Sequence, residues 1–412
     1  MSEVRQNLGF PEGRVSAADL DELLLGVEGL PASAAAVGGL LALPDSPAAE
    51  TAAAMFALVR GDVALAAGAL AAANRTGPCV ATIADACRAL TPAGIRRLAL
   101  RAQLLPPTHA SGADIDFSGL GRHCLAVAHA AGVLAAEACP PIEPELAYTC
   151  GLLHDAGKWL LAILFPKTYQ QVLDNVRLGQ GDLLEAERRI LGLDHALAGR
   201  RLARRWRLGE AVEESAWFSH LPIEAVPDIL EHAPIVKLVA LADVLVRENR
   251  LGFSGNLSFA RRSAVLADQL NIPAAAMARA VAEAGEADRE AGREAASGSE
   301  ASRVRSLSRA NAELGKTCDA LSEQVGALEW QAQALGRLQR LMQALPADAT
   351  VRDVLTGLAH VLAEAAGGGC PAIVYYTGTR GAAQALRLDA TNPQAWLTLP
   401  PSASPTPDET AP

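Results

Sequence analysis

From Asp19 to Leu105, and again from Phe117 to Glu248, the chain reads as one apolar or amphipathic helical segment after another. No alternating strand pattern of useful length occurs before residue 370. Half the residues are apolar but only 4% are aromatic, so the core must be built mostly from Ala, Leu and Val. That composition suits closely packed helices and disfavours a sheet of β-branched and aromatic side chains. With 412 residues the chain is long enough for two or three domains.

The expected organisation is an irregular N-terminus over 1–18 and a helical region over 19–280, with 19–115 and 116–280 as its two parts. Residues 281–303, "EAGEADREAGREAASGSEASR" from Glu283 on, are rich in Glu, Ala, Gly and Ser. They read as a linker with some helix. A heptad follows: Leu307, Leu314, Leu321, Leu328, Leu335 and Met342 recur every seven residues, with Asn311, Cys318 and Val325 among the alternate seam positions. Six heptads with an apolar seam predict a coiled coil over 304–345 and a homodimer through it, Asn311 being the kind of residue that fixes register. Beyond it, "PAIVYYTG", "ALRLDA" and "AWLTL" read as strands. The last residues, 400–412, have the composition of a disordered tail.

Charge and cysteine usage narrow the setting. A net charge of −10 argues against a nucleic-acid surface spread over the protein, although Arg200, Arg201, Arg204, Arg205 and Arg207 form a local basic run. Seven scattered cysteines without a CxxC pair read as free thiols in a reducing compartment. There is no apolar leader, and no apolar run reaches the roughly 18 residues of a membrane helix, so a soluble cytoplasmic protein is expected.

Five of the eight histidines, 123, 129, 154, 195 and 220, fall in the second helical part. In "GLLHDAGKWLL" His154 and Asp155 are adjacent. Side chains at i and i+1 of a helix point about 100° apart, so both reach one metal only if it sits beside that edge. His123, 31 residues earlier, and Asp243 in the apolar run "ALADVL" would complete a nitrogen and oxygen site. Such donors suit Fe, Mn, Co or Zn, which can lower the pKa of a bound water and clamp a phosphate oxygen. A carboxylate in an apolar run is costly unless paired or metal-bound, which singles out Asp243. His129 reads as a packed core residue, and His195 as either a ligand or part of a helix start. Lys158 is one of four lysines against 32 arginines. It lies one turn beyond His154, placed to meet a phosphate or to neutralise Asp155.

At these residues a family resemblance becomes specific. "GRHCLAVA", "GLLHDAGKWLL", "LGLDHALAGRRLARRWRL", "AWFSH" and "LADVL", in that order and spacing, resemble the HDOD (HD-related output domain) family. Upstream, "LPASAAAVGGLLAL" and "TIADACRALTPAGIRRLAL" are similar to its N-terminal helices. The resemblance implies an all-α fold of two helical lobes and a regulatory role among other signalling proteins, without the phosphohydrolase activity of catalytic HD domains. It also implies a first metal site at His123, His154, Asp155 and Asp243. By likeness to HD-GYP phosphodiesterases, it implies a second at His195 and His220, with Lys158 matching the lysine that meets substrate phosphate. Two departures stand out: Ser219 replaces the first His of the HD-GYP pair, and "LPIEAVPDI" follows where the GYP motif would be. The segment 346–399 resembles the opening of a GAF domain. It implies a small α/β fragment and, with the coiled coil, the sensory front of a histidine-kinase-like chain. Two function classes therefore stand side by side: a non-catalytic signalling scaffold and a metal-dependent HD-type phosphohydrolase.

Overall fold

Polar side chains set where the helices begin in the computed structural model. Ser16, Ser33, Asp62, Thr82, Asp116, Asp182 and Asp194 each accept a hydrogen bond from a backbone N–H of the turn that follows. Each satisfies a donor that a helix start leaves open. The structure describes residues 14–44, 48–75, 78–105, 115–139, 141–179, 181–256, 258, 262–296, 301–346, 348–365, 373–377, 383–389 and 392–399. The disordered tail expected over 400–412 lies outside them, as does most of the irregular N-terminus.

The first helices are α1 (Ala17–Leu25), α2 (Ala34–Ala42), α3 (Ala49–Arg60), α4 (Val63–Ala73) and α5 (Ile83–Arg101). Next come α6 (Phe117–Ala138), α7 (Pro144–Leu153), α8 (Ala156–Leu164), α9 (Pro166–Arg177), α10 (Leu183–Ile190), α11 (His195–Trp206) and α12 (Glu210–Phe218). They are followed by α13 (Ala233–Glu248), α14 (Ser263–Gln269), α15 (Ala274–Ala296), α16 (Ala301–Ala344) and α17 (Val351–Ala365). The protein is all-α up to this point. Among the described residues before 373 the sole β pairing is an isolated bridge between Ala32 and Leu104. One apolar core runs from Leu20 on α1 to Ala284 on α15. Across the junction of the two expected lobes, Thr149 accepts the N–H of Ile83 at 3.2 Å, and the Arg60 guanidinium lies 3.3 Å from the centre of the Tyr148 ring. No helix among the described residues is long and apolar enough to cross a membrane.

Two expectations change here. Residues 281–296 belong to α15, which packs along α6 through the buried Ala276, Ala280, Ala284 and Ala287 instead of forming a linker. Ion pairs fix it: Asp288 lies 3.3 Å from Arg122, and Arg279 2.5 Å from Glu137. Alanine every fourth residue lets two helix backbones approach closely, and a composition count reads the same alanines as featureless. The GAF-like identity of the C-terminal segment is not supported. The segment holds α17 and an antiparallel meander, β1 (Ile373–Thr377), β2 (Ala383–Asp389) and β3 (Asn392–Leu399), in the order β1-β2-β3.

The chain divides into two compact units, Met1–Lys316 and Thr317–Pro412. In α16, a single 44-residue helix, the heptad side chains Leu314, Leu321, Leu328, Leu335 and Met342 are all more than half exposed.

Candidate metal centre

The His154–Asp155 pair sits at a break in the helix, which the sequence reading had placed inside one continuous segment. α7 ends at Leu153, and Asp155, at φ −101° and ψ 12°, leaves the helical region before α8 restarts at Ala156. Free of the helical offset, both side chains turn to the same side. Two glycines allow the neighbours in. A Cβ on Gly151 would lie 2.9 Å from the Ala128 backbone of α6, and one on Gly157 only 1.9 Å from the carbonyl oxygen of His195. These contacts press α7 onto α6 and bring the first residue of α11 against α8.

Six donors converge as a result. On one side of Asp155, its Oδ2 lies 3.5 Å from His123 Nε2 and 3.4 Å from His154 Nε2. Asp243 Oδ1, from α13, is 3.1 Å from His123 Nε2 and 3.9 Å from His154 Nε2. On the other side, Asp155 Oδ1 lies 3.3 Å from His220 Nε2 and 3.7 Å from His195 Nε2, and those two nitrogens are 3.2 Å apart. Asp155 therefore stands between two donor sets. Cys124 also lies close to His154 and Asp155. Burial and the Asp155 carboxylate push its thiol well up, so it remains a thiol.

The donors fit a divalent cation. Ligand atoms about 2.1 Å from one ion in tetrahedral array lie about 3.4 Å from each other, which is the spacing found. Both nitrogens of His123, Nε2 of His154 and Oδ1 of Asp155 are buried without a hydrogen-bond partner. His123 Nε2 lies 3.1 Å from Asp243 Oδ1 and 3.5 Å from Asp155 Oδ2, between the two carboxylates. Lone pairs facing a shared centre have this arrangement.

The outer nitrogens are held. His154 Nδ1 donates to the Gly151 carbonyl oxygen at 2.7 Å, and His195 Nδ1 to Glu187 Oε2 at 2.6 Å. Each leaves a bare Nε2 facing inward. Glu187 also accepts the His195 backbone N–H at 2.8 Å and the Tyr169 hydroxyl at 3.1 Å. Burial pushes its carboxyl up to about 8. Burial likewise lowers His154 to about 4, keeping the ring neutral.

Lys158 lies against Asp155, the neutralising partner that the sequence offered beside a phosphate. Its Nζ, 2% exposed as a residue, donates to Asp155 Oδ2 at 2.5 Å and to the Ser254 carbonyl at 2.9 Å. Burial would raise the Asp155 carboxyl, but His154 and Lys158 hold it well below the usual range. Arg247 does the same for Asp243 from 3.0 Å. Arg247, one helical turn after Asp243, was visible in the spacing. Glu187, Tyr169 and Ser254 were not, because their partners lie on other elements of the chain.

His129 stays apart from the centre, its ring edge-on to Tyr148 at 5.2 Å. Three of the five arginines in the basic run are already paired, Arg200 and Arg204 with Glu213 and Arg201 with Asp21.

Residues 29–222 match the HDOD domain model, a span that contains His123, His154, Asp155, Lys158, His195 and His220 and stops before Asp243. Among solved structures the chain is similar to the MmoQ response regulator of Methylococcus capsulatus, at 23% identity and a TM-score of 0.49, over 62% of this chain and 98% of that one. It is similar to an HDOD domain protein of Geobacter sulfurreducens, at 25% identity and a TM-score of 0.39, over 71% and 96%. A virulence factor of Campylobacter jejuni matches at 20% identity and a TM-score of 0.45, over 56% and 82%. No curated protein matches the chain.

Proposed function

We propose, from the match of residues 29–222 to the HDOD domain model, that the protein is a non-catalytic regulatory module. In this reading it works in the cytoplasm among other signalling proteins, holds a divalent metal inside its helical domain, and pairs with a second copy through 304–345. The observation that carries it is the closed state of Lys158. A lysine that binds substrate phosphate presents its ammonium to an open site, whereas this one is buried, with two of its three N–H donors on Asp155 and Ser254.

The donor set supports metal binding, with His123, His154, Asp155 and Asp243 around one position and Asp155, His195 and His220 around another. Imidazole with carboxylate suits Fe, Mn, Co or Zn. A bound metal would supply positive charge and a Lewis acid. His123, His154, Asp155 and Asp243 are almost fully buried, so its main consequence would be to tie α6, α8, α11, α12 and α13 together. Ser219 in place of a histidine and "LPIEAVPDI" in place of the GYP motif point the same way. Heptad side chains left exposed on α16 support the dimer.

Elemental analysis of the purified protein, paired with hydrolysis of bis-p-nitrophenyl phosphate, tests this reading. Metal bound in the wild type, lost in His154→Ala, and no hydrolysis in either is the expected outcome. The second reading, a metal-dependent phosphohydrolase, draws on the bridging position of Asp155. Hydrolysis in the wild type above the His154→Ala level would establish it in place of the first.

A further inference from the structure

A separate feature lies away from the metal centre, between α3 and α5. Pro92 cannot continue the hydrogen-bond ladder of α5, and the chain breaks there. Thr91 adopts φ 62°, ψ 164°, a region that β-branched residues rarely enter. Residues on both sides of the break face α3 across a hollow. What remains is a cavity of about 460 Å³, within the usual range of small-molecule sites. Met55 and Phe56 of α3, and Cys87, Pro92 and Ile95 of α5, form most of its wall. Burial pushes the Cys87 thiol up to about 11, so it stays protonated and reacts slowly, and this wall is apolar.

Of the residues that line the cavity, Arg88 is the one with a charged side chain. It is largely exposed and rests 2.9 Å from Asp85, an ion pair in open solvent that holds it weakly. An apolar hollow of this size is a poor place for water and a good one for hydrocarbon. A single guanidinium beside it favours a carboxylate head. We propose that this cavity binds an anionic amphiphile, a small molecule with an aliphatic body and a carboxylate at one end. The site does not depend on the metal reading. Strained backbone at Thr91 is consistent with it, since strain of this kind gathers at ligand sites.

Decanoate below its micellar concentration is the probe, with 1-decanol as the uncharged control. Binding is read by calorimetry and by the rate at which N-ethylmaleimide alkylates each cysteine of the full chain, resolved by peptide mass spectrometry. Exposed Cys79 serves as the internal reference. At ten times its dissociation constant, decanoate should slow alkylation of Cys87 about tenfold and leave Cys79 unchanged. Ala52→Trp, at the exposed mouth, should abolish the calorimetric signal. Arg88→Gln should weaken decanoate about threefold to fivefold while leaving decanol as it was. An unchanged Cys87 rate, or undiminished binding in Ala52→Trp, would overturn the site. Equal affinity for decanoate and decanol in the wild type would overturn the acidic head.

Discussion

The His–Asp centre and the leucine seam of α16 depart from the ordinary partition of side chains in opposite directions. The centre takes carboxylates, a lysine and histidines out of water, and Asp155 is 1% exposed. The seam leaves Leu314, Leu321, Leu328, Leu335 and Met342 in water. Buried charge is tolerated only when closely paired, and a continuous exposed apolar stripe marks a surface meant to be covered. The carboxylates of the centre are therefore answered within the chain, by Lys158 at Asp155 and Arg247 at Asp243, while bare histidine nitrogens face inward beside them. Under the proposed pairing, an apolar partner completes the seam. Tertiary packing within one chain accounts for the first, and a second chain is the simplest cover for the second.

The largest test of this contrast is Asp155→Ala. It strands Lys158 in the core, and breaking a buried pair this way costs about 3–5 kcal/mol, to be read by urea denaturation. Asp155→Leu combined with Lys158→Met should recover most of that loss. A loss under about 1 kcal/mol in Asp155→Ala would mean the centre is not electrostatically closed.

Breaking the other side needs Leu321→Glu together with Leu328→Glu. Each removes about 1.5–3 kcal/mol of apolar burial per chain, so the dimer dissociation constant should rise at least a hundredfold in light scattering. Denaturation of the helical domain should be unaffected. A wild type that is monomeric at all concentrations would remove the pairing altogether.

Glu187→Gln sharpens the picture inside the centre. Glu187 orients His195 and not His154, whose Nδ1 is held by the Gly151 carbonyl. Metal titration should show one binding step weakened about 10-fold to 100-fold and the other retained.

The smallest effect concerns His129, six residues beyond His123 on the same helix, which has no carboxylate partner in the centre. Burial, with Arg60 nearby, lowers it to about 4. A histidine whose folded value lies below its unfolded value adds stability above about pH 6.5 and loses it as pH falls toward 4. The wild type should lose about 1 kcal/mol more than His129→Gln between about pH 7 and pH 5.5. Equal slopes would show that His129 is not held neutral by the fold.

Much of the helical pattern and all six candidate donors were legible in the sequence, for local reasons. Helix starts are written in Ser, Asp and Thr caps, and His or Asp in an apolar run is conspicuous because its burial is costly. Legibility ended where a residue's meaning depends on what lies opposite. Glu187 drew no notice because its partner His195 is on another helix, and 281–296 looked like linker because alanine is equally at home in a loose chain and in a tight helix contact. Lys158 offered two roles, and its second partner Ser254, nearly a hundred residues away, left no mark in the spacing.

By itself, then, the sequence determined an Ala- and Leu-rich helical chain, the chemical kind of its buried donors and the period of its seam. These follow from backbone propensity and residue identity, which are properties of short stretches. Only the tertiary structure decided that the helix breaks at Asp155, that Gly151 and Gly157 admit neighbouring backbones, and that donors from five helices or helix ends face one carboxylate. Side-chain direction follows from backbone angles and from the close approach of elements far apart in the chain, and neither is encoded in any single segment.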